Sequence, residues 1–112
     1  MSLTRSGNLS AVGNITGYSD IRLKKDIETV SGALDKVKQL RGVYFKRKDG
    51  ADESRHIGVI AQEIEQVLPE VVCINSDGMR SVAYGNITAL LIEAIKEQQK
   101  QIDELKTICY GS

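Results

Sequence analysis

The chain has 112 residues, 41% of them hydrophobic, with a single Phe and no Trp. That length bounds it to one small domain, whose core must be modest or shared between copies, so oligomerisation is expected. Fifteen basic and fifteen acidic residues cancel, which excludes the strongly basic field of a dedicated nucleic-acid binder. No run approaches the roughly 20 apolar residues of a membrane span, and Met1-Ser2-Leu3-Thr4-Arg5 lacks the hydrophobic region of a secretion signal.

In chain order, residues 1–18 are rich in Ser, Gly, Asn and Thr and read as extended or loop structure, the remnant of a preceding domain in a piece of a longer polypeptide. Ile27, Val30, Leu34, Val37 and Leu40 follow three-and-four spacing and predict a helix over 31–40 capped by Ser31 and ended by Gly42. Val43-Tyr44-Phe45, a turn in Lys46 to Arg55 containing Asp49-Gly50, and His56 to Ile60 predict a hairpin. Ala61, Ile64, Val67 and Leu68 mark a short amphipathic helix stopped by Pro69. A second hairpin follows, from Val71 to Ile74 through Asn75-Ser76-Asp77-Gly78 to Met79 and on to Ala83.

After Tyr84 the chain favours helix until Gly111, with Thr88, Ile95, Ile102 and Cys109 at heptad position a and Leu91, Gln98 and Leu105 at d. This is a coiled-coil seam of about three heptads. A long helix packed on its own head is the alternative pattern, and both stay open. Polar Gln98 at a seam position would fix register at some cost in stability. The fold class is therefore α+β: a small head of short helices and hairpins over 19–83, then a long helix over 84–112.

Cys73 and Cys109 fit no metal-ligand spacing and are expected to be free thiols. No histidine or cysteine cluster points to a metal, and no Walker-type loop is present. The basic run Lys46-Arg47-Lys48 leaves nucleotide binding as a weak option beside a solvated hairpin end. No cofactor is required by any reading.

Ser19-Asp20-x-Arg22-Leu23-Lys24, Ile57-Gly58-Val59-Ile60-Ala61-Gln62-Glu63, Leu68-Pro69-Glu70-Val71-Val72, Val82-x-Tyr84 and Leu90-Leu91-x-Glu93-Ala94-Ile95-Lys96-Glu97 together resemble the intramolecular chaperone and auto-processing domain, of peptidase S74 type, of phage tailspikes, endosialidases and neck appendages. The likeness runs over about residues 13 to 106. It implies a domain that helps three chains fold into a β-helical stalk, the client upstream in the same polypeptide, and then cuts itself off before the motif serine. The scissile bond would be Tyr18-Ser19, with Ser19 as nucleophile and Lys24 as its partner in a single-turnover dyad. The roles of Asp20 and Arg22 are not fixed by the resemblance. It also implies a homotrimer, no nucleic-acid or membrane partner, and assembly in the host cytoplasm, with the domain released from or absent in the mature virion.

A serine hydroxyl is a poor nucleophile at neutral pH unless a base takes its proton. A lysine, with a pKa of about 10.4, serves only after burial or nearby positive charge lowers it, and Arg22 and Lys25 could supply such charge. Oxyanion donors could be backbone N–H groups or the Gln62 amide, and His56, the lone histidine, could assist proton transfer or be a surface or interface residue. The Ser19 to Lys24 separation puts the two on opposite faces of a strand and about 140° apart on a helix, so a bend or a second protomer is required. Two other readings keep the same domain. One is a non-cleaving trimeric receptor-binding tip; the other is a membrane-tethered cellular regulator in which self-cleavage releases a transcription factor.

Overall fold

The structure is a computed structural model that describes residues 2–3, 8–48, 50 and 53–110. Asp49 of the first predicted turn and Gly111 after the long helix lie outside the described residues. The chain divides into two compact units, one of residues 1–28 with 47–53 and the other of residues 29–46 with 54–112.

In the first unit β1 (Ser2–Leu3) and β2 (Leu9–Ser10) pair antiparallel, Ser2 opposite Ser10 and Leu3 opposite Leu9. The chain then runs irregularly to a 3-10 turn at Ile21–Leu23. Every described side chain from Asn8 to Glu28 is exposed except half-buried Ala11.

The second unit holds the core. Helix α1 (Ala33–Lys38) is followed by the antiparallel hairpin β3 (Val43–Phe45) and β4 (His56–Gly58), in which Tyr44 faces Ile57. Helix α2 (Ala61–Val67) ends where Pro69 opens a 3-10 turn at Pro69–Val71. Strands β5 (Val72–Ile74) and β6 (Arg80–Val82) then pair antiparallel. Their turn needs the left-handed backbone of Gly78 (φ 83°) and is closed by Asn75 N–H on the Met79 carbonyl at 2.8 Å. A 3-10 turn at Tyr84–Asn86 leads into α3, Ile87–Tyr110, 24 residues long.

The α+β architecture and both head hairpins match the sequence reading, while the first helix differs in place and cap. It starts at Ala33 rather than residue 31, because Gly32 adopts the left-handed conformation (φ 61°, ψ 30°), which a serine enters at a steric cost. Ser31 is not its cap. The acceptor comes from 64 residues away: Glu97 on α3 takes the N–H of Ala33 at 3.0 Å with one carboxylate oxygen and the N–H of Leu34 at 2.9 Å with the other. A six-residue helix is too short to persist by propensity. It persists here by this charged cap and by burying Ala33 against α3.

The core consists of Ala33, Ile64, Leu68, Val71, Leu90 and Ala94, and of these only Ile64 and Leu90 are large side chains with less than 2% exposed. It is a core of the modest size expected from the length. Leu90 and Ala94 face the head together with half-buried Ile87 and Glu97, a three-and-four stripe along α3. The heptad seam lies on another stripe, with Leu91, Ile95, Ile102 and Leu105 between 42% and 65% exposed. Of the two sequence alternatives for this helix, packing on its own head is present along one face, while the heptad positions lie on a separate, largely exposed face.

Gly58 is fixed by a close approach. A Cβ built there would lie 2.7 Å from the Tyr84 hydroxyl oxygen, which accepts the N–H of Val59 at 3.2 Å. The tyrosine that opens the last turn before α3 thereby ties to the strand that precedes α2, and only glycine leaves it room. On the surface of the same unit, Arg41 forms a two-bond ion pair with Glu63 (2.9 and 2.8 Å), and Arg80 pairs with Glu65 at 3.1 Å. Arg55 lies 3.5 Å over the Tyr44 ring. Cys73 and Cys109 are both free and exposed. No helix among the described residues is long and apolar enough to cross a membrane.

Candidate functional site

Asp20 starts the 3-10 turn at Ile21–Leu23 as its N-cap, with extended backbone (φ −67°, ψ 133°) and its side chain accepting the N–H of Arg22 at 2.9 Å. Aspartate is a favoured residue at such a position, since its carboxylate satisfies an N–H that the first turn leaves without a partner. The Leu23 and Lys24 N–H groups close the turn on the carbonyls of Asp20 and Ile21 at 3.0 and 3.1 Å.

That turn is a bend, one of the two options the spacing left open. It curls the chain so that Lys24 Nζ donates to Ser19 Oγ at 2.7 Å, within one chain. The pair is exposed. Tyr18, on the N-terminal side of the serine, is 97% exposed, so the Tyr18-Ser19 peptide is flanked by side chains in open solvent. Tyr18, Asp20, Arg22 and Leu23 line an open hollow of about 410 Å3 beside it.

Arg22 does not stand as a free positive charge. Its Nε and Nη2 bind the two Asp20 oxygens at 3.0 and 2.8 Å. The guanidinium, helped by the Arg22 backbone N–H, holds the Asp20 carboxyl below the usual carboxylate range, and Asp20 in turn raises Arg22. The serine motif thus contains two side-chain pairs interleaved in sequence, Ser19 with Lys24 and Asp20 with Arg22.

The remaining predicted site residues belong to the second unit. Gln62 is exposed on the first turn of α2. His56 stacks on Phe45 across the β3–β4 ladder, ring centroids 5.5 Å apart, with its Nε2 3.4 Å from Ser54 Oγ. Glu97 and Tyr84 were not singled out as functional from the sequence. An aspartate two residues before an arginine after an extended segment was a readable turn signal; the Glu97 cap had none, because its partners are distant in sequence.

A family model described as chaperone of endosialidase matches residues 19–73, beginning at Ser19 itself. The long tail fiber protein Gp37 of Salmonella phage S16 is 36% identical over 93% of this chain and 16% of its own length. Its counterpart in Enterobacteria phage M1 is 43% identical over 80% of this chain and 39% of its own length. That of Enterobacteria phage T2 is 32% identical over 92% and 9%. The chain therefore spans well under half the length of these curated relatives.

Proposed function

Because the chain belongs to the Peptidase_S74 family, the chaperone of endosialidase, we propose that it is the intramolecular chaperone of a phage long tail fibre, and that it trimerises and then releases itself by cutting Tyr18-Ser19. Residues 1–18 are then the end of the client, 19–83 the head and 84–112 the trimerisation helix. The setting is phage assembly inside the host, as the Gp37 relatives suggest.

The observation that carries self-cleavage is the 2.7 Å contact of Lys24 Nζ with Ser19 Oγ at the residue where the family match begins. In the reaction a neutral Lys24 amine takes the Ser19 hydroxyl proton as Oγ attacks the Tyr18 carbonyl carbon. The tetrahedral oxyanion collapses with loss of the Ser19 nitrogen, which takes its proton from the Lys24 ammonium. The product is an ester of the Tyr18 carboxyl with Ser19 Oγ. One water, deprotonated by the same amine, hydrolyses it, giving a Tyr18 carboxylate and a free Ser19 hydroxyl and amine. Backbone N–H groups would hold the oxyanion.

Lys24 is exposed in the single chain, whereas a lysine acts as a general base only as the neutral amine. Burial of this segment by neighbouring chains would favour the neutral amine, so cleavage waits for assembly. The uncovered seam of Leu91, Ile95, Ile102 and Leu105 supports trimerisation through α3. Holding three chains at one end lowers the entropic cost of pairing a β-rich stalk, and removing the holder afterwards makes the mature fibre kinetically stable.

Intact and native mass spectrometry of the purified chain beside Ser19→Ala and Lys24→Ala tests this. The unmodified chain alone is expected to lose residues 1–18, from a trimer. Three uncut trimers would instead identify a permanent, non-cleaving tip, and monomers that cut would remove the link between cleavage and assembly.

A further inference from the structure

The turn that brings Lys24 to Ser19 also creates a competitor for it. A carboxylate close to a lysine attracts it as an ion pair, and Asp20 opens the three-residue 3-10 turn that Lys24 closes. Such a pair would favour the protonated ammonium and oppose its use as a base. The pair does not form. Both Asp20 oxygens are taken by the fork of Arg22 at 3.0 and 2.8 Å, and one of them also accepts the Arg22 N–H at 2.9 Å. Among the described residues no carboxylate pairs with Lys24, whose Nζ bonds the Ser19 hydroxyl.

We propose that Arg22 is a positioning residue that occupies the Asp20 carboxylate and so reserves Lys24 for Ser19. The inference rests on the reading of Ser19 and Lys24 as the reacting pair. Asp20 cannot simply be dispensed with, because the turn needs its oxygen as cap; it brings a negative charge to the lysine's neighbourhood, and Arg22 covers that charge. A planar guanidinium can satisfy both oxygens at once, whereas an ammonium acts as a point charge and leaves an oxygen free.

The test is a rescue by a second substitution, read as the rate at which the full chain loses its intact mass after refolding, with native mass and melting confirming that each variant assembles. Arg22→Gln frees Asp20 to pair with Lys24 and is expected to slow cleavage about tenfold. Adding Asp20→Asn keeps a capping oxygen but removes the charge, and the double variant is expected to recover most of the lost rate. Arg22→Lys should fall between Arg22→Gln and the unmodified chain. A double variant as slow as Arg22→Gln, or an Arg22→Gln chain as fast as the unmodified one, overturns the proposal. If the unmodified trimer never cuts, the self-cleavage reading has failed by itself. The positioning role is then read from the nuclear Overhauser contact between Lys24 Hε and Ser19 Hβ. That contact should be lost in Arg22→Gln and regained in the double variant, and its persistence in Arg22→Gln refutes the role.

Discussion

The serine segment and the head core are held by opposite kinds of contact. Around Ser19 the described side-chain bonds join residues two and five apart, Asp20 with Arg22 and Ser19 with Lys24, all exposed. In the second unit the ties are long: Glu97 reaches α1 across 64 and 63 residues, and Tyr84 reaches Val59 across 25. Local bonds can assemble before anything else has folded, but in solvent each contributes little to stability. Long ties contribute more, yet require the chain to have found its topology first. The Ser19 to Lys24 contact can therefore be present in a chain whose scaffold is still forming.

The largest expected effect separates the two regions most sharply. Ile64→Ala removes one of the two large, fully buried side chains and should cost about 2–5 kcal/mol, seen as a lower denaturation midpoint. The Lys24-to-Ser19 contact should survive that change in nuclear Overhauser spectra. Loss of the contact together with the core would show that the turn depends on the head.

Gly58→Ala comes next, since its Cβ would meet the Tyr84 hydroxyl at 2.7 Å. A cost of about 1–3 kcal/mol is expected, partly relieved by Tyr84→Phe, which removes the obstructing oxygen. An unchanged melt for Gly58→Ala would mean that the tyrosine is not seated there in solution. Glu97→Gln, which keeps one capping oxygen but loses the charge, should cost about 1 kcal/mol. Amide hydrogen exchange should report it as faster exchange at Ala33 and Leu34 while β5 and β6 are unaffected.

The smallest effect is that of acid. Arg22 holds the Asp20 carboxyl below its usual range, and Arg41 does the same for Glu63. A carboxyl with a depressed folded-state pKa adds stability that is fully present above its unfolded-state value and is lost as pH falls through the folded-state value. Both contributions should thus be intact at neutral pH and fade only in acid below about pH 4. Carboxyl carbon titration by NMR should place the Asp20 midpoint below that of a free aspartate; a midpoint at the free value would deny the ion pair in solution.

Sequence periodicity was sufficient for α2, both head hairpins and α3, because each element carries its own pattern: Ala61, Ile64 and Leu68 at helical spacing, Asp77-Gly78 in a turn, no proline after Tyr84. The start of α1 was misread at Ser31 because serine is a good cap by local rules, and the true acceptor lies on α3. The heptad could be read, and packing of the helix on its own head was the alternative; which stripe would do so, Leu90, Ala94 and Glu97, was not specified. At the site the resemblance pointed to Ser19 and Lys24, and their spacing required a bend or a second protomer. The Asp20 cap that makes the bend is a local signal; the mutual occupation of Asp20 and Arg22 depends on side-chain conformation and was not legible.

The reach of Glu97 back to α1 has a consequence for synthesis. Residues 33 and 34 leave the ribosome long before residue 97 is made, so the first helix of the head waits, uncapped and without Leu90 or Ala94 to bury Ala33, until the last helix emerges. A chain broken off by premature termination before α3 would lack the head's cap, much of its core and its seam together. Translation thereby acts as its own inspection: a polypeptide that stops short lacks the parts needed to complete its head.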